Sequence, residues 1–134
     1  MTAPNDNSRL AINVIGLAQT ETNILVLDSA PKPTVPELIE LKSREYGVDS
    51  RLALAIARCE SQFRQYDDKT GEVLRGKSNR RDVGVFQINE QYHLEKSREL
   101  NFDIYTAAGN IEYAVWLMSA YGRAPWVWSR KCWS

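Results

Sequence analysis

With 134 residues, 43% of them hydrophobic and 25% charged, the chain has the length of one domain and the composition of a globular one, which excludes a disordered protein. Its 17 Lys/Arg balance 17 Asp/Glu, so the charge surplus that steers proteins onto nucleic acid is missing. No apolar run is long enough to span a bilayer, so stable membrane insertion is not expected.

The first 33 residues read as an extension or linker. Met1–Ser8 is polar. Residues 10–18 (LAINVIGLA) have some character of a signal-peptide apolar region, but the run is short, Asp6 and Arg9 precede it, and Asn13 interrupts it. Asn23–Asp28 suits a strand or a short helix. Pro31, Pro33 and Pro36 give the following stretch the look of an arm, and the domain boundary is placed there, with the folded domain at 34–134.

The first clear helix starts at Thr34. Thr34 and Glu37 have the spacing of a capping box, Pro36 is tolerated in a first turn, and Gly47 is a natural stop. Leu38, Leu41 and Tyr46 are expected to share its inner face. A second helix, N-capped by Asp49 or Ser50, runs from Leu52 to about Phe63. Residues 66–82 have no helical period and contain Gly71 and Gly76, which suits a loop or small β-hairpin. Gln91–Leu100 is a short polar helix. Ile104–Tyr121 is the longest helical pattern, with Ile104, Ala107, Ala108, Ile111, Val115 and Met118 on one stripe and Gly122 as its end. Three of the four tryptophans crowd the tail APWVWSRKCWS. The expected fold is mostly α (α+β), a helical core with a short β or loop wing.

Candidate chemistry centres on Leu52–Asn89. On an ideal helix Glu60 lies about 20° from Ala53, 40° from Ile56 and 60° from Phe63, so it sits on or at the edge of the buried stripe. A carboxyl held there loses hydration, which favours its protonated form, as a general acid requires. The plain alternative is an exposed helical glutamate just beyond the stripe. The two cysteines, Cys59 and Cys132, have no metal-ligand spacing. They are either buried thiols or one disulfide closing a long loop, and the second would imply an oxidising compartment. His93 is the only histidine and suits a surface or cleft position better than metal ligation. Residues 71–134 carry a small basic surplus, compatible with an anionic polymer.

The strings Cys59-Glu60-Ser61, Gly84-Val85-Phe86-Gln87, GNIEYAVWLMSAYG and a Trp/Cys tail occur in an order that resembles the lysozyme-like superfamily of peptidoglycan-cleaving enzymes. Cys-Glu-Ser at the end of an apolar helix resembles bacterial lytic transglycosylases and resuscitation-promoting factors. Asp82–Asn89 (DVGVFQIN) resembles the DxGxxQIN segment of C-type lysozymes, as do Trp126, Trp128, Arg130, Lys131 and Cys132. The resemblance covers roughly residues 35–134. It departs from the C-type pattern in having only two cysteines and a longer interval from Glu60 to Asp82.

The resemblance implies a lysozyme-like domain and a muramidase that cleaves the β-1,4 bond between N-acetylmuramic acid and N-acetylglucosamine without a metal or organic cofactor. Glu60 would be the proton donor. Asp82 would stabilise or capture the sugar cation, whereas a lytic transglycosylase would use Glu60 alone and leave 1,6-anhydro ends. Without the resemblance, Asp82 reads as a solvated partner of Arg80 or Arg81. Substrate contacts would come from Ser61, Gln87, Asn89, Tyr92 and His93. Tyr121 and Trp126 would line the pocket around Glu60, with core packing as the alternative for both. Asn110 would make a structural or cleft hydrogen bond. The resemblance also implies a Cys59–Cys132 disulfide tying the catalytic helix to the C-terminal segment. The expected setting is extracellular, periplasmic or cell-wall, acting on glycan strands as a monomer. A non-catalytic wall-binding or phage tail module is the competing reading.

Overall fold

Helix α1, Val35–Tyr46, begins where Thr34 and Glu37 cap each other reciprocally and ends at Gly47, whose φ of 68° is the left-handed conformation of a helix stop. The computed structural model to which it belongs describes residues 31–134. The readings of 10–18 and 23–28 lie outside the described residues. Pro33–Ser134 forms one compact unit. The buried face of α1 is Ile39 and Ser43, flanked by Val35, Leu38 and Tyr46. Leu41, expected on that face, is instead half-exposed: the stripe is centred two residues earlier.

Helix α2, Ser50–Ser61, is N-capped by Asp49, which accepts the Arg51 N–H at 2.9 Å. It ends two residues short of the expected Phe63. Gln62 and Phe63 both take positive φ (54° and 64°), and the Gln62 N–H closes the helix on the Arg58 carbonyl. Two successive non-glycine residues in this region are costly and mark a turn that its surroundings hold in place.

The wing at 66–89 is a set of short pairings. Isolated bridges join Tyr66 to Val73 and Arg75 to Val83. Strands β1 (Asp82–Val83) and β2 (Ile88–Asn89) pair antiparallel, with Asp82 opposite Asn89 and Val83 opposite Ile88. The turn between them is buried, and two buried amides hold it. Gln65 accepts the Val85 N–H and donates to the Ile104 carbonyl; Asn110 accepts the Phe86 N–H and donates to the Val83 and Ile104 carbonyls, all at 2.9–3.1 Å. Gly84 makes room for them. Its φ is 74°, and a Cβ there would stand 2.4 Å from the Gln65 amide oxygen and 2.5 Å from the Asn110 amide nitrogen.

Helix α3, Glu90–Glu99, follows at once, and α4, Ala107–Tyr121, starts from the Thr106 cap, three residues after the expected Ile104. From Asn110 to Met118, α4 is buried on most sides, because α1 and the C-terminal segment pack on it while the 83–86 turn is hydrogen-bonded to Asn110. A 3-10 segment, Ala124–Ser129, and the short α5, Arg130–Trp133, close the chain against α2. The domain is thus mostly helical with a small two-stranded sheet. The core joins Ile39, Ile56, Phe86, Ile111, Tyr113 and Val115, each worth roughly 1.5–3 kcal/mol of apolar burial. Among the described residues no helix is long and apolar enough to cross a membrane.

Candidate active site

The C-terminal end of α2, the 74–79 loop, the β1–β2 pair, the start of α3 and the 3-10 segment enclose a cleft of about 860 Å³. Glu60 and Asp82 both line it, with Gln87, Asn89, Tyr92, His93, Trp126, Trp128 and Ser129 among the other walls.

Glu60 stands on the last turn of α2 and is half-buried. A disulfide between Cys59 and Cys132, with Cα atoms 6.0 Å apart, ties that turn to α5. Three residues before Cys132, the Ser129 hydroxyl hydrogen-bonds the Glu60 carboxyl. The same oxygen lies 3.1 Å from the Trp126 carbonyl and accepts the Trp133 indole N–H at 3.0 Å. A hydroxyl has one hydrogen to give. Beside ionised Glu60, Ser129 donates to the carboxylate, and the Trp126 carbonyl keeps the Trp133 N–H at 3.1 Å. Beside protonated Glu60, the carboxyl donates to Ser129 and Ser129 donates to the Trp126 carbonyl. The site therefore satisfies both protonation states without moving a heavy atom.

Burial pushes the Glu60 pKa above the usual carboxyl value; the Ser129 hydrogen bond pulls it partly back, and the Asp82 carboxylate pushes it further up. Asp82 is held toward the cleft by its cross-strand partner: the Asn89 amide donates to it at 2.9 Å. Among the described residues Asp82 forms no ion pair with Arg80 or Arg81. The loop beside it is pinned by Arg75, which bonds Glu90 at 2.7 Å and the Arg80 carbonyl at 2.9 Å, while Tyr105 bonds the other Glu90 oxygen at 2.7 Å.

The other expected contact residues divide. Tyr92 lines the cleft and is 76% exposed, and Gln87 lines it with its amide nitrogen turned back to the Gly84 carbonyl at 3.0 Å. Asn89 lines it too, but its oxygen caps α3 through the Gln91 and Tyr92 N–H groups while its nitrogen holds Asp82, so its amide is committed to structure. Ser61 is buried, and its hydroxyl donates to the Ala57 carbonyl and accepts the Arg64 N–H, so it shapes the helix end. Trp126 is buried beneath the cleft, its indole N–H on the Phe86 carbonyl at 2.9 Å and its ring edge-on to Phe86. Tyr121 is not brought to the cleft: it is 62% exposed and lies edge-on to Trp116. Asn110 is buried away from the cleft and is structural.

His93 is half-buried in the cleft wall, its Nδ1 2.9 Å from the Tyr113 hydroxyl. Burial lowers the pKa of His93 and pushes that of Tyr113 up to about 12. With Nδ1 unprotonated the tyrosine donates to it and the ring hydrogen sits on Nε2; with Nδ1 protonated the imidazole donates to the tyrosine oxygen.

Ser129 and Gln65 escaped the sequence reading, and Trp128 enters it only as part of the C-terminal Trp/Cys pattern, not as a cleft residue. A serine in a Trp-rich tail carries no local signal of an interaction with a glutamate 69 positions away. Gln65 stands in a polar stretch that reads as loop. Compared with protein-family models, curated proteins and solved structures, the chain matches none.

Proposed function

We propose that this domain is a peptidoglycan-cleaving glycosidase, a lysozyme-like muramidase acting on the β-1,4 bond between N-acetylmuramic acid and N-acetylglucosamine. The observation that carries the reading is a half-buried carboxyl with a raised pKa, Glu60, sharing one cleft with a second carboxylate, Asp82, close enough to disfavour its ionisation. Paired carboxyls whose environments separate their roles are what glycosidic cleavage requires; lysozyme is itself the type case of that rule, so the template is borrowed.

In this mechanism a glycan strand lies along the cleft. Glu60, protonated, gives its proton to the glycosidic oxygen as the C–O bond breaks, and Ser129 turns its hydroxyl to the carboxylate that remains. Asp82, held by Asn89, stabilises the oxocarbenium-like sugar or attacks it. Water then completes hydrolysis, with Glu60 taking back a proton. Arg75 and Glu90 keep the Asp82 loop in place. The disulfide supports an oxidising setting, extracellular, periplasmic or cell-wall, for a monomer acting on glycan strands.

A lytic transglycosylase is the second reading. Asp82 is the weakest of the influences on Glu60, which suits an acid working alone. Mass spectrometry of digested peptidoglycan separates the two: reducing muramic acid ends mark hydrolysis, and 1,6-anhydro ends mark transglycosylation. Glu60→Gln keeps the size of the side chain and removes the proton donor. It should lower wall-clearing activity by at least 100-fold, the lower range of a positioned general acid. Equal clearing by wild type and Glu60→Gln would remove Glu60 from the mechanism, and no clearing by either would leave a non-catalytic wall-binding or tail module.

A further inference from the structure

The four tryptophans have different fates. Trp126 and Trp133 are buried with their indole N–H groups bonded to carbonyls, and Trp116 is half-buried between Tyr113 and Tyr121. Trp128 is 97% exposed, yet it lines the cleft and immediately precedes Ser129, the residue whose hydroxyl touches Glu60. Single exposed apolar side chains are ordinary on protein surfaces. A fully exposed indole on the wall of a cleft that also holds two carboxyls is a different case. The cleft is otherwise rich in hydrogen-bonding groups: Gln62, Ser78, Asn79 and Gln87 line it with Lys77. Polar edges around a flat apolar face match a sugar ring, whose hydroxyls lie around its rim and whose C–H groups cover its faces.

We propose that Trp128 is a stacking platform for one N-acetylated sugar ring of the bound glycan, fixing the register in which the strand reaches Glu60. The inference rests on the glycosidase reading and adds a binding residue to it. Stacking at this position acts mainly on binding, so Trp128→Ala should raise KM more than it lowers kcat. The ring is already fully exposed, so its removal leaves no cavity and folding should be unaffected.

Acrylamide quenching of tryptophan fluorescence provides the test, because Trp128 is the most accessible of the four indoles. The full chain carrying Glu60→Gln is titrated with N,N′,N″-triacetylchitotriose, alone and with Trp128→Phe or Trp128→Ala. The sugar should shield an accessible tryptophan in the first protein. Trp128→Ala should weaken binding by about 5- to 10-fold, and Trp128→Phe by less, because a smaller aromatic face remains. Equal Kd values for folded Glu60→Gln with and without Trp128→Ala would overturn the platform. So would concentration-dependent self-association that Trp128→Ala abolishes, since the indole would then be an interface between copies. If the sugar binds through Trp128 while Glu60→Gln still turns over substrate, the platform stands and the assignment of Glu60 falls. If no variant binds the sugar, both fall.

Discussion

The Cys59–Cys132 disulfide closes a loop across a sequence separation of 73 residues, and its removal makes a quantitative prediction. In the chain-entropy account a loop of that size constrains the unfolded state by about 4.5 kcal/mol at 25 °C, and native-state strain or residual structure reduces this toward 2 kcal/mol. Set against a total stability of about 5–15 kcal/mol for a domain, that is a large share. Cys132 is exposed and Cys59 only partly buried, so Cys59→Ala/Cys132→Ala removes little packing, and the loss should come mainly from the bond. Guanidinium unfolding of the double variant under oxidising conditions should show a lowered midpoint and a loss of about 2–4.5 kcal/mol. Wild type kept in reductant should match the double variant. The bond also joins the helix bearing Glu60 to the segment bearing Ser129, so the double variant should lose activity below its melting range as that contact loosens. A stability loss under about 1 kcal/mol, with reductant equally harmless, would refute the claim that this loop closure holds the site together.

Three further outcomes follow from the same geometry. A general acid works while protonated, so kcat/KM should fall as pH rises through the elevated pKa of Glu60. Ser129→Ala removes the hydrogen bond that lowers that pKa, so the alkaline limb of the pH profile should move to higher pH; an unmoved or lowered limb would refute the pairing. The same variant should cost only about 1 kcal/mol in thermal or denaturant unfolding, because the Trp133 N–H keeps the Trp126 carbonyl at 3.1 Å. Asn110→Ala strands the buried Phe86 N–H and Val83 carbonyl and should destabilise by about 3 kcal/mol; a loss under 1 kcal/mol, measured by urea unfolding, would show that the turn is held otherwise.

Local chemistry alone specified much of the scaffold. The Thr34/Glu37 box, the Asp49 cap and the stops at Gly47 and Gly122 are interactions between near neighbours, so sequence spacing suffices to place them. Helical period alone also put Glu60 at the edge of the α2 stripe, where the structure finds it half-buried. Period failed where the environment changes along an element. It placed Leu41 on the inner face of α1, and it continued α2 past Ser61, where a hydroxyl and two left-handed residues turn the chain. The polar roles diverged for a related reason. Asn89 and Ser61 stand where a sugar contact was expected, but the Gln91 N–H at a helix start and the Arg64 N–H just past a helix end claim their side chains first.

The sequence by itself determined the main helices, their caps, the paired cysteines as one of two options, and a glutamate at the edge of a buried helical stripe. Those features depend on spacing within a few residues and on residue chemistry. Only the tertiary structure decided that Cys59 meets Cys132, that Asn89 holds Asp82 in the cleft with Glu60, that Ser129 hydrogen-bonds Glu60, and that Trp128 faces the cleft while Tyr121 does not. Each of these is a contact between distant segments, set by how helices and a short hairpin pack around one core. No local propensity encodes which side chains that packing brings face to face.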